Sequence, residues 1–420
     1  MKRCFRWALA LLVAAMAVTA NAETTITVAS FPSFDESTKA AIPLWEKKHP
    51  DIKIKLQSLA FGDHHNAMIT ALASGTNLPD VMAVEIGFIG RFAESGGLED
   101  LGAAPYNGKP MLDQLLKFTR SQATSGQGIL AAMPADVGPG TLFYRKDILD
   151  KAGVTEKELT KSWESYINAG KKIKAKTGAF LLAHANDIYG IYIRSNLKDG
   201  EGQFFGKETA DGKIKVLVNT PRFKKAFQLA KMAREAGVDA KVGAWSNEWS
   251  EGFKRGTIAT QAIGAWLAGH LNNWLAPDTK GLWRASQLPN GAFATWGGSF
   301  YAIPKKAANK AQAWEFIKFM CFDKEQQLNA LKALDAWPAL ISAQNDPFLD
   351  QPMPFLGGQK ARQLWKVAAA KAPAITVHKL DPVATDIVNA ELEQVLEKNK
   401  DIGQALADAQ QQIERRIRRQ

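Results

Sequence analysis

Residues 51–86 read DIKIKLQSLAFGDHHNAMITALASGTNLPDVMAVEI, and this stretch decides the fold class. Its first nine residues alternate apolar and polar side chains, which is the pattern of a half-buried strand. Residues 63–74 then predict a helix that ends at Gly75, and the apolar run 81–86 predicts a strand buried on both faces. A strand, a helix and a strand in this order favour a βαβ unit, and so an α/β fold with a mostly parallel sheet.

The same alternation extends on both sides of this stretch. Residues 24–30 (TTITVAS) predict a strand and residues 35–48 a helix, while residues 88–95 predict a helix that ends at a pair of glycines. After Gly126 the pattern changes. The remaining predicted elements are short strands at 128–133, 141–144 and 300–304, a helix-rich stretch at 146–270, and helices at 311–322 and 402–419.

The first 22 residues have the three parts of a secretory signal peptide. Three basic residues lie within the first six, residues 8–18 form an unbroken apolar run, and residues 20–22 (ANA) form a small-residue cleavage site. The apolar run is too short to span a bilayer. We therefore expect cleavage after Ala22, a mature chain that begins at Glu23, and export to a bacterial periplasm.

The composition is that of an ordinary globular protein with room for two or three domains. The chain has 420 residues, 53 Lys and Arg against 42 Asp and Glu, and a formal net charge of +11. Part of this charge lies in the signal peptide and part in the C-terminal run 415–419, and no basic stripe is interleaved with aromatics, so a nucleic-acid partner is not expected. Cys4 precedes the cleavage site, and Cys321, on an apolar helix, is interpreted as a core thiol.

Signals for catalysis are weak. The sequence contains no phosphate-binding loop, dinucleotide fingerprint, zinc-protease motif or nucleophile elbow, and it predicts no metal and no cofactor. His64 and His65 are neighbours, which on a helix point about 100° apart and cannot chelate one metal, so a helix-start or surface pair is the favoured interpretation. Glu248 and Glu251 could face each other as glycosidase carboxylates do. The segment SNEWSE (246–251) is more typical of a capped helix start.

The tryptophans carry the sharper signal. Trp45 and Trp314 lie on apolar helix stripes and are predicted to be core residues. Trp266, Trp296 and Trp337 instead stand beside glycine, proline or polar residues. An indole face can stack on the C–H face of a sugar while neighbouring polar groups bond its hydroxyls. These three tryptophans therefore favour a carbohydrate site, with packing at a domain edge as the alternative.

Seven segments in order along the chain resemble the carbohydrate-binding extracellular solute-binding proteins of ABC importers, of the maltose-binding type. The segments are residues 26–34 with the helix ending LWEKKHPDIKIK, ITALASGTNLPDVMAVE (69–85), FAESGGLEDL (92–101), LFYRKDILDKAGV (142–154), FKRGTIATQAIGAW (253–266), WGGSFYAIPKKAANKAQAWEFIKFM (296–320) and QALADAQQQI (404–413).

The resemblance implies the fold of a type II periplasmic binding protein, with two α/β lobes, a ligand cleft between them and about three hinge crossings. The N-terminal lobe is expected at 23–134 plus 286–336, and the C-terminal lobe at 135–285 plus 337–420. Ligands bind beyond the carboxyl ends of the strands in such sheets, and two facing crevices joined by hinges form a clamp.

The resemblance also implies site residues. Trp266 matches the stacking tryptophan of the second lobe. Glu85, at a strand end, is expected to accept from sugar hydroxyls, with a helix-start carboxylate as the alternative. Asp136 lies at the first hinge, where it could accept from hydroxyls or serve hinge packing. Trp296 leads a cleft loop in which glycines let the backbone approach the ligand. The other candidate contacts are Phe34, Asp35, His65, Asn186, Tyr189, Gly297, Gly298, Ser299 and Trp337.

These residues include no arginine or lysine cluster, so the expected ligand is a neutral mono- or oligosaccharide. The IGFIG run after Glu85 lacks the second polar residue with which maltose binders hold their sugar. The expected protein is a monomeric, non-enzymatic periplasmic receptor that delivers its sugar to ABC permease subunits with an ATPase. The alternatives are an exported lyase or glycosidase, and a receptor of the same fold for another solute such as a glycerol phosphodiester.

Overall fold

The computed structural model describes residues 23–198, 201–207 and 213–419. The predicted signal peptide, residues 1–22, lies outside the described residues. Over the described ranges, no helix combines the length and the apolar character that a membrane span needs.

The described residues form one mixed sheet flanked by helices. The strands are β1 Thr24–Ser30, β2 Ile52–Ser58, β3 Val81–Glu85, β4 Met133–Arg145, β5 Thr260–Gly264, β6 Trp283–Ser286, β7 Thr295–Ala302 and the short β8 Trp337–Pro338. The order across the sheet is β2-β1-β3-β7-β4-β5, and β6 and β8 also pair with β4.

Helices connect and cover these strands. They are α1 Phe34–Lys48, α2 Phe61–Ser74, α3 Ile86–Ala93, α4 Lys117–Arg120, α5 Lys146–Ala152, α6 Glu156–Thr160, α7 Trp163–Thr177, α8 Asn186–Ser195, α9 Pro221–Glu235, α10 Asn247–Arg255, α11 Leu267–His270, α12 Lys310–Phe322, α13 Lys324–Leu334, α14 Ala361–Lys371, α15 Asp381–Lys398 and α16 Ile402–Ile417. A π-helical turn, Leu271–Leu275, continues α11, and 3₁₀ turns lie at Lys109–Gln114, Pro277–Thr279, Pro289–Gly291, Ile341–Asn345, Pro347–Asp350 and Pro354–Leu356.

The first βαβ unit confirms the prediction from the opening stretch. β1 pairs in parallel with β2 and with β3, and the predicted bounds of all three strands hold to within a residue. α2 ends at Gly75, whose φ of 71° is the left-handed conformation that stops a helix without a Cβ penalty.

The expectation of a mostly parallel sheet is wrong beyond β3. β7 pairs antiparallel with β3 and with β4, and β4 pairs antiparallel with β5, β6 and β8. The parallel pairs come from the local βαβ units, whereas β4 and β7 reach their partners from distant parts of the chain. Local strand and helix patterns predict only the first kind of pairing.

The short strand predicted at 128–133 is wrong except at Met133, where one continuous strand, β4, begins, and the strand predicted at 141–144 is part of β4. Its first half pairs with β7 and β8 and its second half with β5 and β6. Pro134 and Pro139 are tolerated inside it because the register against β7 shifts near both, and such irregularities are where a strand can lack an N–H donor.

In the part of the chain that the structure describes, the buried apolar side chains form four clusters. One draws only on residues 26–135 and 300–321, a second on residues 142–294, and a third on residues 185–413. The fourth, around Trp337 and Trp365, mixes residues from 115 to 369. The fourth joins segments that the expected division assigns to different lobes.

Several packing predictions are confirmed. Trp45, Trp314 and Cys321 are buried in the first cluster, and burial raises the pKa of the Cys321 thiol. Ser246 caps α10 by accepting from the backbone N–H of Trp249, as the SNEWSE segment predicts. His64 and His65 lie near the start of α2, but both are buried, so the surface alternative for this pair is wrong.

Candidate ligand-binding site

Three predicted residues lie side by side on neighbouring strands. Ser299 of β7 is paired with Glu85 at the end of β3 and, on its other side, with Asp136 of β4. Paired residues on adjacent strands point to the same face of a sheet, with Cβ atoms about 5 Å apart. Glu85, Ser299 and Asp136 therefore form a row, here called the strand row, that presents two carboxyls and a hydroxyl together. The structure thus puts Ser299, and Trp296 before it, inside a strand and not in the predicted loop.

Burial perturbs both carboxyls of the strand row. It raises the pKa of Glu85 to about 7, against the backbone N–H of Gly87 and the positive charge of Arg194, which lower it. Burial also raises the pKa of Asp136 to about 6, although hydrogen bonds from Ser299 favour the ionised form. Glu85 accepts from the Gly87 N–H at 2.6 Å and so caps α3 as well, which was the alternative interpretation of this residue. Asp136 Oδ1 is buried without a hydrogen-bond partner within the protein.

His65 contacts the backbone of Glu85, the first residue of the strand row. Its Nε2 accepts from the backbone N–H of Glu85 at 3.2 Å, so its Nδ1 carries the proton and donates to the Phe61 carbonyl at 2.7 Å. Its ring stacks on Phe88, with centroids 4.1 Å apart, and burial lowers its pKa to about 4. His65 is therefore neutral, and it positions the end of β3.

Phe34 and Asp35 lie at the start of α1, beside the strand row. The Phe34 ring packs against Tyr301, two residues after Ser299, with centroids 4.9 Å apart. Phe34 also lines a narrow crevice together with Asp136. Asp35 is buried and contacts Lys39 at 3.3 Å through one oxygen, while the other oxygen has no partner within the protein.

Trp266 and Trp296 meet beyond the strand row. The indole N–H of Trp266 donates to the Trp296 carbonyl at 2.8 Å, and both rings are half-buried. This approach requires glycine nearby: a Cβ on Gly138 would lie 1.8 Å from the Trp296 carbonyl oxygen. Gly297 and Gly298 follow with φ of 80° and 137°, and Gly298 is paired with Val137, next to Asp136. The two indoles therefore adjoin the strand row.

The remaining predicted residues differ in how far their side chains are buried. Tyr189 is buried among Phe223 and Phe227, and its hydroxyl has no partner within the protein. Asn186, half-buried, begins α8 and donates its backbone N–H to His184 Nδ1. Trp337 is next to the residue paired with Asp136, but its ring is fully buried and packs edge-on against Trp365, so the structure favours core packing for it.

Comparisons with known proteins show the family of this chain. A sequence model of the bacterial extracellular solute-binding protein family matches residues 29–327. The chain belongs to this family. A lactose-binding protein of Rhizobium radiobacter is 27% identical over 375 residues, which cover 84% of this chain and 85% of the relative. An arabinooligosaccharide-binding protein of Bacillus subtilis is 26% identical over 66% of this chain and 64% of the relative.

Solved structures show the fold. An ABC transporter associated binding protein from B. animalis subsp. lactis, in complex with β-1,6-galactobiose, superposes with a TM-score of 0.77 at 24% identity over 93% of this chain and 96% of its own. A maltose-bound T. maritima protein gives 0.75 at 22% identity, covering 93% of this chain and 99% of its own. The fold is that of the type II periplasmic binding proteins, as predicted.

One residue beside the candidate site of this solute-binding protein was not predicted from the sequence. The Arg194 guanidinium of α8 lies 4.3 Å from the Trp296 ring centroid and donates to the Gly190 carbonyl at 2.8 Å. Its charge lowers the pKa of both Glu85 and Asp381, which burial raises to about 7 in each. Arg194 thus links the strand row to the Trp296 indole. Arg194 adds a single cation beside the predicted residues and not the arginine or lysine cluster that a strongly acidic ligand would favour.

A second contact joins the segment before α15 to α3. The segment before α15 packs against α3, where a Cβ on Gly90 would lie 2.7 Å from the His378 carbonyl group. His378 donates its backbone N–H to Asp381 at 2.7 Å, and Asp381 also has one buried oxygen without a partner within the protein. The 378–381 segment is therefore seated on α3, the helix that Glu85 caps.

Proposed function

We propose that this protein is the substrate-binding component of an ABC importer and captures a neutral oligosaccharide. One observation supports this most: buried oxygens of Asp136, Asp35, Asp381 and Tyr189 have no hydrogen-bond partner within the protein. Asp136 belongs to the strand row and Asp35 follows Phe34 beside it, while the charge of Arg194 acts on both Asp381 and Tyr189. Buried polar atoms are rarely left unpaired, and the hydroxyls of a sugar would supply donors to them.

The raised pKa values of the two row carboxyls agree with a neutral ligand. With pKa values of about 7 and about 6, Glu85 and Asp136 are partly protonated near neutral pH, so together they carry less charge than two ordinary carboxylates, and the protonated form donates as well as accepts hydrogen bonds. Sugar hydroxyls likewise donate and accept. Arg194 is a single cation placed among Glu85 and Asp381, so an anionic ligand would meet carboxyls as well as the guanidinium.

The mechanism follows from binding on two sides. We infer two lobes, 23–134 plus 286–336 and 135–285 plus 337–420, which close on the sugar. The strand row and Trp266 would hold it from opposite sides, so only the closed form makes both sets of contacts, and the ligand biases the open–closed equilibrium. We further propose that the signal peptide is cleaved after Ala22, that the monomer works in the periplasm, and that the closed form docks on permease subunits driven by an ATPase.

A thermal-shift panel tests this proposal. The mature protein is heated with lactose, galactobiose, arabino-oligosaccharides, maltooligosaccharides, sn-glycerol phosphodiesters and simple anions. A ligand at 100 times its dissociation constant should add about 2.7 kcal/mol of stability. A shift with an oligosaccharide, confirmed by calorimetric titration, supports the proposal. A shift with only a phosphodiester or an anion would refute it.

One observation favours a second candidate, a carbohydrate-cleaving enzyme. Glu85 and Asp136 flank Ser299 and so lie about 10 Å apart at their Cβ atoms, near the spacing of an inverting glycosidase pair. Prolonged incubation with the sugar that binds, followed by chromatography, distinguishes the two functions. An importer receptor returns the oligosaccharide intact, and an enzyme yields shorter products that Glu85→Gln abolishes.

A further inference from the structure

Aromatic side chains continue outward from Trp266 in a connected row. The Trp245 ring lies nearly parallel to Trp266, at an interplanar angle of 17° with centroids 5.8 Å apart. The His270 ring contacts both of these rings. It also contacts the Trp274 ring, and the centroids of His270 and Trp274 are 5.7 Å apart. Trp266, Trp245, His270 and Trp274 are here called the aromatic row.

The outer members of the aromatic row face solvent. Trp245 is 54% exposed and Trp274 53% exposed, the most exposed large apolar side chains among the described residues. Trp266 and His270, by contrast, are half-buried and buried. Exposing two indoles is unfavourable for a soluble protein unless a partner covers them. The row therefore runs from the proposed sugar site to an open surface.

The backbone holds these rings in unusual conformations. Trp245 has φ 70°, a left-handed conformation that bulky residues rarely adopt and that tends to persist at functional positions. Trp274 lies on the π-helical turn Leu271–Leu275, which sets it two turns after Trp266 along the same side of the helix. Both features place an indole in the row at a local conformational cost.

From this arrangement we propose that the aromatic row is an outer subsite, which stacks further units of an oligosaccharide whose first units lie in the cleft. The inference rests on the proposed function and names its substrate class: an unbranched, neutral chain of three or more sugar units. The row is continuous with Trp266, and its rings step outward at distances comparable with the length of one sugar ring.

The chemistry around the row suits a sugar better than a protein partner or an ion. Burial lowers the pKa of His270 to about 4, so the row carries no charge at neutral pH. Asn272 and Asn273 are exposed on the same turn as Trp274. Asn272 Nδ2 donates to Asn273 Oδ1 at 2.8 Å and Asn273 Nδ2 donates to the Ala333 carbonyl at 2.9 Å, so the Asn272 amide oxygen is the group that can accept from a sugar hydroxyl. Indole faces flanked by amides can hold the C–H face and the hydroxyls of a sugar together.

Calorimetric titration with a length series tests the inference. The probes are maltooligosaccharides, galacto-oligosaccharides and arabino-oligosaccharides of two to five units, on the mature wild type, Trp245→Ala, Trp274→Ala and Trp245→Tyr. The control is Val367→Ala, which removes another exposed apolar side chain, 46% exposed, far along the chain. We expect the wild type to bind four units about tenfold more tightly than two. Trp245→Ala should lose this gain and keep its affinity for two units, and Trp245→Tyr should restore it.

The other outcomes refute either the outer subsite alone or the proposed function as well. If the wild type binds sugars but length makes no difference, or Trp245→Ala weakens all lengths equally, the outer subsite is refuted and the proposed function stands. If no carbohydrate binds the wild type, both are refuted. If both alanine variants bind every length normally but fail to support uptake in vesicles with the permease, the row is a protein-docking surface. Melting temperatures close to that of the wild type show that the variants fold.

Discussion

The strand row and the group formed by Trp266, Trp296 and Arg194 adjoin one another, yet they are built in different ways. The row is set by backbone pairing, because Glu85, Ser299 and Asp136 are neighbours in the hydrogen-bond register of three strands. The second group is set by side-chain contacts between distant segments: an indole N–H on a carbonyl and a guanidinium on a ring. The row therefore supplies rigid acceptors, and the second group supplies the contacts that can rearrange when a ligand enters.

Removing the Trp266 ring should have the largest effect. Trp266→Ala takes away the stacking face and leaves the Trp296 carbonyl without its 2.8 Å donor. We expect sugar affinity to fall about 100-fold, in the range of a buried aromatic anchor. Calorimetric titration measures the loss, and Trp266→Phe, which keeps a ring but no N–H, should lose less. Affinity unchanged in Trp266→Ala would remove this residue from the site.

The burial of Glu85 predicts a pH dependence of stability. The folded protein keeps this carboxyl protonated up to about pH 7, whereas the unfolded chain ionises it near its ordinary value of 4.5. The folded state thus binds more protons between these values, and the contribution of Glu85 to stability is lost as the pH rises through them. Glu85→Gln should therefore gain about 2 kcal/mol relative to wild type between pH 5 and pH 8.

Urea unfolding at the two pH values measures this gain. The control is Glu251→Gln, since Lys254 lowers the pKa of Glu251 and the carboxylate stays ionised over the whole interval. An equal change for the two variants would mean that Glu85 is not held protonated by its surroundings.

A smaller effect is expected where the 378–381 segment is seated on α3. In Gly90→Ala the new Cβ would meet the His378 backbone at 2.7 Å, and backbone cannot move aside as a flexible side chain can. The segment should be displaced and sugar affinity reduced about tenfold, roughly 1.4 kcal/mol. Gly62→Ala is the matched control, because it is also a helical glycine and a Cβ there meets nothing within 4 Å. Equal affinities for the two variants would show that this contact does not contribute to closure.

The smallest effect on binding belongs to Trp337. Its ring is fully buried against Trp365, so Trp337→Phe should lower stability by about 1–2 kcal/mol and change sugar affinity less than twofold. Urea unfolding and calorimetric titration on the same sample separate the two quantities. A large loss of affinity at wild-type stability would return Trp337 to the site.

The same contrast explains what the sequence could predict. Strand ends and helix starts are local signals, so Glu85, the first βαβ unit and the cap of α10 follow from residues close together in the chain. The pairing of Ser299 with Asp136 joins residues more than 150 positions apart, and no periodicity reports it. The glycines after Trp296 predicted a loop because they weaken a strand, but here they let β7 pass close to β4.

Arg194 was missed for a related reason. Its helix, α8, reads NDIYGIYIRS, in which one arginine near the end is typical of an exposed cation that complements the helix dipole. A signal was nevertheless present in the sequence. Arg194 lies two turns after Asn186 on the helix that also carries Tyr189, and both of those residues were predicted contacts. Only the packing of α8 against β7 brings its guanidinium onto the Trp296 ring.

The buried thiol of Cys321 has a practical consequence. Burial disfavours the reactive thiolate, and Cys4, the other cysteine of the chain, lies in the segment expected to be cleaved. A thiol-reactive dye should therefore leave the mature protein unlabelled until a new cysteine is introduced. A cysteine at exposed Asn272, beside the aromatic row, would carry a single fluorophore whose emission reports ligand capture without removal of any native residue of the core.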